Sequence, residues 1–413
     1  MRSSAISPLW SVAALFGGAV LTAQLFWTVL PAAFRENDSG DYRSFYEPVA
    51  RSIMAGRGLM TPAGSAAIDY PPGHPIILAA VLGVAHATGL PESDALRIFL
   101  LACAGFAAVL LFVAAGQVWE PRRALVAGIA WIVYPPALWL TKQPYSEGPY
   151  LVVLYGGACI FLKALFHSEG RTCLSFLSGL LAGVAALIRP AAIGFGLVLA
   201  LLLWLASRVL PAGHRWTLIA LLLAGNAAAV LPWECWVWYR TGQLLPLSSG
   251  GVRGVLDGLT FAVIPKSFRQ TEALPSDVHE LMRSIEARQD TIKSAGDLVS
   301  VVSRTFLARP WPVLKLVAMK AARSWYATDS GRFQIPILAI QVVTMGLVLL
   351  STRAAWTSGG LQRLLVCGVW VVIAYFWGMT VLVLSIARYM VPAIGLAFLL
   401  LPALLLRAPR SSL

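Results

Sequence analysis

Long apolar runs recur along the chain, and they limit its fold more than any other feature. Those near residues 96–118, 217–238 and 364–384 reach the roughly 20 residues that a helix needs to cross a bilayer. The composition agrees, since 58% of the residues are hydrophobic and 12% are charged, against about 25% charged in a soluble domain. We therefore predict an all-α polytopic membrane protein.

The charge balance and the cysteines exclude several other classes of protein. The formal net charge is +13, but no basic run is long or interleaved with stacking aromatic residues, so we expect no nucleic-acid partner. In a membrane protein such an excess is typical of arginine-rich cytoplasmic loops. The five cysteines are scattered and show neither a CxxC pair nor a metal-binding spacing, so they indicate no disulfide framework.

The first 95 residues predict an anchor followed by an extracytoplasmic loop. The apolar run 8–34 is longer than a signal-peptide core and follows Arg2, so we predict a retained anchor with the N-terminus in the cytoplasm. Residues 35–95 then form the first extracytoplasmic loop, with an amphipathic helix over residues 41–55. The run 72–90 is predicted to be membrane-embedded or interfacial, because a full crossing would invert the arginine bias of the later loops.

About ten crossings are predicted, within a single integral membrane domain that covers residues 1–413. After the anchor, the predicted spans lie near residues 96–118, 124–140, 149–166, 173–188, 191–206, 217–238, 334–351, 364–384 and 389–406. This topology places both termini in the cytoplasm.

One long polar stretch, residues 239–333, is predicted to be a helical extracytoplasmic loop. Its predicted helices cover residues 277–295, 298–308 and 312–325. In this topology only Glu120 and Glu169, of the 19 acidic residues, face the cytoplasm. Any reactive surface is therefore expected on the extracytoplasmic side.

Two aspartates at the start of the first predicted loop are candidates for a catalytic base. Asp41 begins the amphipathic helix, and Asp38 lies three residues before it. Either carboxylate is suited to cap the helix N-terminus, where free N–H groups and the helix dipole favour negative charge. A carboxylate at this boundary also suits a general base for an acceptor hydroxyl, and the two interpretations do not exclude each other.

The run Ile-Asp-Tyr-Pro-Pro-Gly-His-Pro at residues 68–75 is the most distinctive local motif. Its prolines fix φ, so Asp69, Tyr70 and His74 are expected on a stiff turn before the chain re-enters the membrane. Asp69 and His74 are candidate ligands for a divalent cation, although two ligands do not make a site. The alternatives are a cap or ion pair for Asp69 and an interfacial position for His74. Glu147 starts a predicted span, where a helix N-terminus suffices to explain a carboxylate.

Arg189 and Arg388 each interrupt an apolar run on the predicted outer side. Placing an arginine near the centre of a membrane helix costs about 2.5–3.5 kcal/mol, so such residues usually lie at a boundary, are paired, or bind a ligand. Together with Arg240 and Arg57, they are candidates to converge on a phosphate, for which the guanidinium group is suited. The alternative is that they reach the outer interface or pair with an acid such as Glu147.

Several segments, taken in order, resemble one family. They are Asp41 with Tyr46 and residues 50–58, then residues 69–75, 146–149, 187–190, 232–251 and 387–392. This ordered set resembles GT-C class, polyprenyl-phosphate-dependent glycosyltransferases of the protein O-mannosyltransferase and lipid A aminoarabinose transferase type. The resemblance covers roughly residues 10–405. It implies a GT-C fold with interfacial helices in the first outer loop and a helical long outer loop.

The resemblance also implies roles for the residues that match its motifs. Asp41 falls near the family's catalytic aspartate, with Asp38 as the alternative. Asp69 occupies the acidic position before the two prolines, and Glu147 that of the second outer loop. Tyr70 departs from the pattern, because the lipid A enzymes carry a phosphate-binding lysine there. Because Tyr70 cannot bind phosphate as that lysine does, we expect the arginines to bind the phosphate of the lipid carrier.

These expectations combine into one predicted reaction and two rivals. The predicted protein lies in a bacterial inner (plasma) membrane with its site facing the periplasm or the cell exterior. It moves a sugar from a polyprenyl-phosphate donor to an extracytoplasmic acceptor hydroxyl with inversion, and membrane lipid surrounds it. No cofactor is expected with certainty, and a divalent metal ion remains open. A transporter or flippase of a lipid-linked sugar and a non-catalytic envelope-assembly protein are the rivals.

Overall fold

The structure is a computed structural model, and its described part is almost entirely helical. It describes residues 8–35, 40–167, 169–206, 214–260, 274–292 and 294–406. Within these ranges the one β-pairing is an isolated bridge between Met60 and Ala66. The predicted all-α class is confirmed.

Eight helices in the described ranges are long and apolar enough to cross a membrane. Seven are continuous: α1 (Pro8–Val29), α5 (Glu92–Ala115), α8 (Glu147–Phe166), α9 (Arg171–Ile188), α11 (Arg215–Thr241), α16 (Gln334–Ser358) and α17 (Gly360–Leu382). The eighth, Ala387–Leu405, joins a 3₁₀ turn, the short helix α18 (Val391–Ala397) and a second 3₁₀ stretch. The prediction of a polytopic membrane protein is confirmed.

Other apolar segments are shorter or broken. α4 (Gly73–Thr88) has 16 residues, or about 24 Å, which is less than the roughly 30 Å of a bilayer's apolar core. Its length agrees with the prediction of an embedded or interfacial helix. The predicted span 124–140 is not one helix, because Tyr134 is extended and separates α6 (Pro121–Ile132) from α7 (Pro135–Trp139). Pro135 follows Tyr134 directly, and a proline ring disfavours the helical conformation of the residue before it.

The chain divides into two compact units. Unit 1 comprises residues 1–248, 347–371 and 395–413, and unit 2 comprises residues 249–346 and 372–394. In unit 1, α9 packs closely on α11. A Cβ at Gly179 would meet the Leu222 carbonyl, and a Cβ at Gly225 would meet the Phe176 carbonyl. Glycines therefore let these two apolar helices approach backbone to backbone. The short helices α2 (Ala32–Arg35) and α10 (Phe195–Leu205) also belong to unit 1.

The polar segment between α2 and α4 folds against α4. It begins with a wide π turn over Tyr42–Tyr46 and continues as α3 (Glu47–Met54). Phe45 and Val49 are buried against Leu78 and other apolar side chains of α4, while Arg51 lies on the exposed side. The predicted amphipathic helix over residues 41–55 is confirmed, with its first turn wider than an α-helix.

Unit 2 contains the helices of the long polar stretch. They are α12 (Gly250–Thr260), α13 (Ser276–Glu286), α14 (Ala295–Ala308) and α15 (Pro310–Arg323). A common core of Leu281, Ile285, Leu298 and Leu316 joins them. The predicted helix 277–295 is too long, because α13 ends at Glu286 and a 3₁₀ turn over Gln289–Thr291 follows it. The predicted helix 298–308 corresponds to α14, which begins at Ala295 after a capping box formed by Ser294 and Asp297. α12 was not predicted.

Candidate active site

The proline-rich turn is held against the end of α9. Pro71 and Pro72 are buried, and a Cβ at Gly73 would meet Leu187 O at 2.6 Å and Ile188 Cγ1 at 2.9 Å. Only glycine allows the first turn of α4 to lie this close to the backbone of α9. The approach brings the turn at residues 68–75 next to the Leu-Ile-Arg-Pro segment that ends at Pro190.

Asp41 contacts this turn through Tyr70. The Tyr70 hydroxyl donates a hydrogen bond to Asp41 Oδ1 at 3.0 Å, and the Tyr70 ring packs between Phe45 and Tyr46, with centroids 5.0 and 5.1 Å away. Asp41 itself is exposed. It has helical dihedrals, and its side chain makes no capping hydrogen bond, so the helix-cap interpretation of Asp41 is wrong. Asp38 lies outside the described residues.

His74 is fully buried at the start of α4. Its Nε2 lies 3.2 Å from Pro144 O, and because a carbonyl can only accept, Nε2 carries the proton. The ring meets Tyr46 edge-on with centroids 4.7 Å apart. Burial lowers the pKa of His74 to about 4. The imidazole is therefore neutral at physiological pH.

Glu147 and Arg189 form an ion pair between two helix ends. Arg189 Nη1 lies 3.0 Å from Glu147 Oε1 and donates to Ser146 Oγ at 3.0 Å. Glu147 starts α8, and Arg189 directly follows α9 in an extended conformation before Pro190. The side chains are only 3% and 15% exposed. Of the two interpretations of Arg189, the structure shows the ion pair with Glu147.

Tyr46 lies between the aspartate and the ion pair. Burial is the main cause that raises the pKa of the Tyr46 hydroxyl, and the nearby charges of Arg189, Asp41 and Glu147 also act on it. Contacts connect Asp41, Tyr70, Tyr46 and His74, and the charges of the Glu147–Arg189 pair are near enough to act on Tyr46. We call these residues, which come from four segments, the Asp41–Arg189 cluster. Its members are Asp41, Tyr46, Tyr70, His74, Glu147 and Arg189.

The remaining predicted residues lie in other places. Asp69 and Arg57 are exposed, and Arg57 stands between two glycines with positive φ. Arg240, in the last turn of α11, is exposed and lies 3.3 Å from Met60 Sδ. Arg388 belongs to unit 2, where it lies 3.5 Å from Asp329 Oδ2. The structure thus places Arg189 and Asp41 in one cluster and Arg240 beside the polar segment that follows α2.

Within the described ranges, no group of three or more His, Cys, Asp and Glu residues is arranged to hold a metal ion. His74 Nε2 is engaged by the Pro144 carbonyl, which leaves Nδ1 as its one possible ligand atom. The predicted metal role of Asp69 and His74 stays a prediction.

One member of the cluster and one residue that contacts it were not predicted as site residues. Tyr46 and Ser146 both lie in segments that carry the family resemblance. Their roles depend on ring packing and on one hydroxyl contact, and neither of these can be recognised in the sequence.

Comparison with solved structures identifies the fold. The oligosaccharyltransferase from Archaeoglobus fulgidus, tethered to an acceptor peptide with an NVT sequon, aligns with a TM-score of 0.59 and 15% identity. The alignment covers 97% of this chain and 50% of the oligosaccharyltransferase. Archaeal oligosaccharyltransferase AglB from Archaeoglobus fulgidus, in complex with an inhibitory peptide and a dolichol-phosphate, aligns with a TM-score of 0.58 and 13% identity, over 95% of this chain and 50% of AglB.

This chain has the GT-C fold. It spans about half the length of these oligosaccharyltransferases. ArnT from Cupriavidus metallidurans, bound to undecaprenyl phosphate, aligns with a TM-score of 0.43 and 17% identity over 96% of this chain and 77% of ArnT. No protein-family model and no curated sequence matches the chain. In this GT-C fold, the Asp41–Arg189 cluster is the candidate active site.

Proposed function

We propose that this protein is a membrane glycosyltransferase that moves a sugar from a polyprenyl-phosphate carrier to an acceptor hydroxyl. The GT-C fold supports the reaction class, and the AglB structure that shares it holds a dolichol-phosphate. The proposed site is the Asp41–Arg189 cluster, facing the periplasm or the cell exterior from a bacterial inner membrane. The arginine bias of the loops supports this orientation.

The observation that carries the proposal is the position of Asp41. Its carboxylate is exposed to an incoming acceptor, while Tyr70 fixes one of its oxygens through a 3.0 Å hydrogen bond. Among the described residues the second oxygen has no hydrogen-bond donor, so its lone pairs are available for a proton. A general base needs this combination of access and fixed orientation.

The proposed reaction is a single displacement with inversion. Asp41 takes the proton of the acceptor hydroxyl as the acceptor oxygen bonds to the anomeric carbon. The bond between that carbon and the phosphate oxygen breaks, and the lipid phosphate leaves with the electron pair. Because phosphate is a good leaving group, no second carboxylic acid has to protonate it, unlike the leaving group in most glycosidases.

The arginines supply the positive charge that the departing phosphate needs. Arg240 and Arg57 are exposed and are proposed to contact the phosphate directly. Arg388 belongs to unit 2, and its predicted part in phosphate binding stays a prediction. Arg189 is largely shielded by its pair with Glu147, so its proposed part is to set the local charge and hold the site together.

The other predicted residues are assigned to positioning and to the acceptor. Tyr70 orients Asp41, and the buried His74 supports Tyr46, which packs on Tyr70. Asp69 is exposed beside Tyr70 and is proposed to orient the acceptor. A divalent cation at Asp69 and His74 would have to use His74 Nδ1, since Nε2 donates to Pro144 O.

The test is sugar transfer by purified protein in lipid nanodiscs. A panel of synthetic polyprenyl-phosphate sugars is offered with envelope glycolipid acceptors, and mass spectrometry follows release of polyprenyl phosphate. We expect Asp41→Asn to lower the rate at least about 100-fold, as removal of a general base does. Asp94→Asn, which changes another exposed carboxylate at the start of α5, should match the wild type.

Two outcomes would overturn the proposal. Full activity in both Asp41→Asn and Asp38→Asn would remove the proposed base. Movement of an intact donor across the bilayer of proteoliposomes, without release of polyprenyl phosphate, would instead identify a transporter.

A further inference from the structure

An apolar surface lies where α14 meets α15 in unit 2. Phe306, Leu307, Trp311 and Leu314 point away from the core of this unit, and we call them the apolar ridge. Leu307 and Trp311 are 80% and 72% exposed. Similar exposure is common on the candidate spanning helices, but α14 and α15 lie in the long polar stretch of residues 239–333, where adjacent exposed apolar side chains mark an interaction surface.

The part of the ridge on α15 lies opposite a buried face of the same helix. In α15, Trp311 and Leu314 are exposed while Leu316 is buried in the core that unites α12 to α15. Lys320, also buried, donates from Nζ to Gly258 O at 2.6 Å and so fixes α15 to α12. The inner face of α15 therefore packs against the rest of unit 2, and this packing fixes the orientation of the ridge.

The end of α15 is attached to a candidate membrane span. Trp377 Nε1, in α17, donates to Ala321 O at 2.9 Å, and the Trp325 and Trp377 rings meet edge-on with centroids 5.8 Å apart. Trp377 lies five residues before the end of α17 at Leu382. Tryptophans near the end of a span mark the level of the membrane interface. The C-terminal end of α15 therefore lies at that level.

Cationic side chains border the ridge. Arg304 is exposed on α14, Arg309 pairs with Glu280 at 3.0 Å, and Lys315 pairs with Asp277 at 2.7 Å. A helix with large apolar residues on one side and basic residues at its borders suits the boundary between acyl chains and phosphate head groups.

We propose that the apolar ridge inserts into the bilayer leaflet at which α17 ends. Phe306, Leu307, Trp311 and Leu314 lie in the acyl boundary, and Arg304 lies at the level of the lipid phosphates. Unit 2 thus has a lipid contact besides its spanning segments, and this contact does not depend on the proposed glycosyl transfer.

The test measures the depth of Leu307 directly. The five cysteines are replaced, Leu307→Cys is spin-labelled in nanodiscs that hold one copy of the protein, and collisions with oxygen and with a water-soluble nickel chelate are compared. We expect the label to collide with oxygen and to be protected from nickel. Glu286→Cys, exposed on α13, is the matched control and should show the opposite preference. Equal access of nickel to both positions would overturn the proposal and would leave a protein partner or a second copy as the occupant.

A second measurement keeps all native cysteines. The fluorescence of Trp311 is taken as the difference between the wild type and Trp311→Phe in vesicles of brominated phosphatidylcholine. An inserted indole should be quenched by the bromine atoms and protected from aqueous iodide. The buried Trp233, compared in the same way through Trp233→Phe, should be protected from iodide irrespective of any insertion. Quenching of Trp311 by iodide but not by bromine would contradict insertion.

Discussion

The Arg189 guanidinium lies 3.0 Å from Glu147 Oε1, although these residues are 42 positions apart and both are shielded from water. The pair joins the first turn of α8 to the residue after α9. A buried pair is not by itself stabilising, but loss of one partner leaves an uncompensated charge. The stability of the candidate site is therefore expected to depend on the two charges being kept or removed together.

Removal of Arg189 alone should destabilise the protein strongly. Arg189→Met leaves the Glu147 carboxylate buried without its partner, and we expect a loss of about 3–5 kcal/mol. The double variant Arg189→Met with Glu147→Gln removes both charges and should recover most of this loss. Thermal and denaturant unfolding of the purified variants in detergent measures both effects. Equal stability of the single and double variants would show that the pair does not bear on folding.

His74 should make the protein less stable as the pH falls. Its pKa is about 4 in the folded state and 6.5 as a free side chain, so below pH 6.5 the unfolded chain binds the extra proton first. From pH 6.5 to pH 5 this linkage removes about 2 kcal/mol of stability, and the loss ends near pH 4, where the folded state is protonated as well.

The control for this prediction is His74→Gln, which keeps a donor for Pro144 O but cannot titrate. The fall of Tm between pH 6.5 and pH 5 should be smaller in this variant than in the wild type. Parallel Tm curves would show that His74 is protonated in the folded protein over that range.

Tyr70→Phe should lower catalysis without unfolding the site. The change removes the hydrogen bond to Asp41 Oδ1 but keeps the ring that packs on Phe45 and Tyr46. A hydrogen bond to a charged group contributes roughly 1.5–3 kcal/mol, so we expect kcat to fall at least about tenfold with KM for the donor unchanged. Tyr239→Phe, which alters a tyrosine that is 82% exposed, should leave kcat unchanged. A rise in KM with constant kcat would place Tyr70 in donor binding instead.

The sequence predicts the helices well because hydropathy is a local property. The lengths of the apolar runs are enough to locate α5, α8 and α17, and the proline pair at 135–136 marks a break that run length alone does not reveal. The predicted helix over residues 277–295 is too long because α13 ends at Glu286 without a glycine or proline in the next residues to mark its end. The capping box of Ser294 and Asp297 is likewise a short signal, and it starts α14 at Ala295 rather than at residue 298.

The candidate site is less predictable, because it depends on contacts between distant segments. Asp41, Glu147 and Arg189 were recognisable as charges at membrane boundaries. That Arg189 pairs with Glu147, and that Tyr46 packs on His74, follows from the way α4 meets α9. The spacing of residues along the sequence does not show which helices come into contact.

Gly73→Ala should test this approach directly. The new methyl group would meet Leu187 O at 2.6 Å, and because the obstacle is backbone, the start of α4 must move away from α9. We expect a loss of about 1–3 kcal/mol, as for overpacked cores, and lower transfer activity, because the displacement carries His74 and Tyr70 with it. Gly83→Ala, in the same helix with no atom within 4 Å of the new Cβ, should instead stabilise the protein by about 0.5–1 kcal/mol. Thermal unfolding and the nanodisc assay distinguish the two variants, and a Gly73→Ala protein as stable and active as Gly83→Ala would mean that the turn is not held against α9.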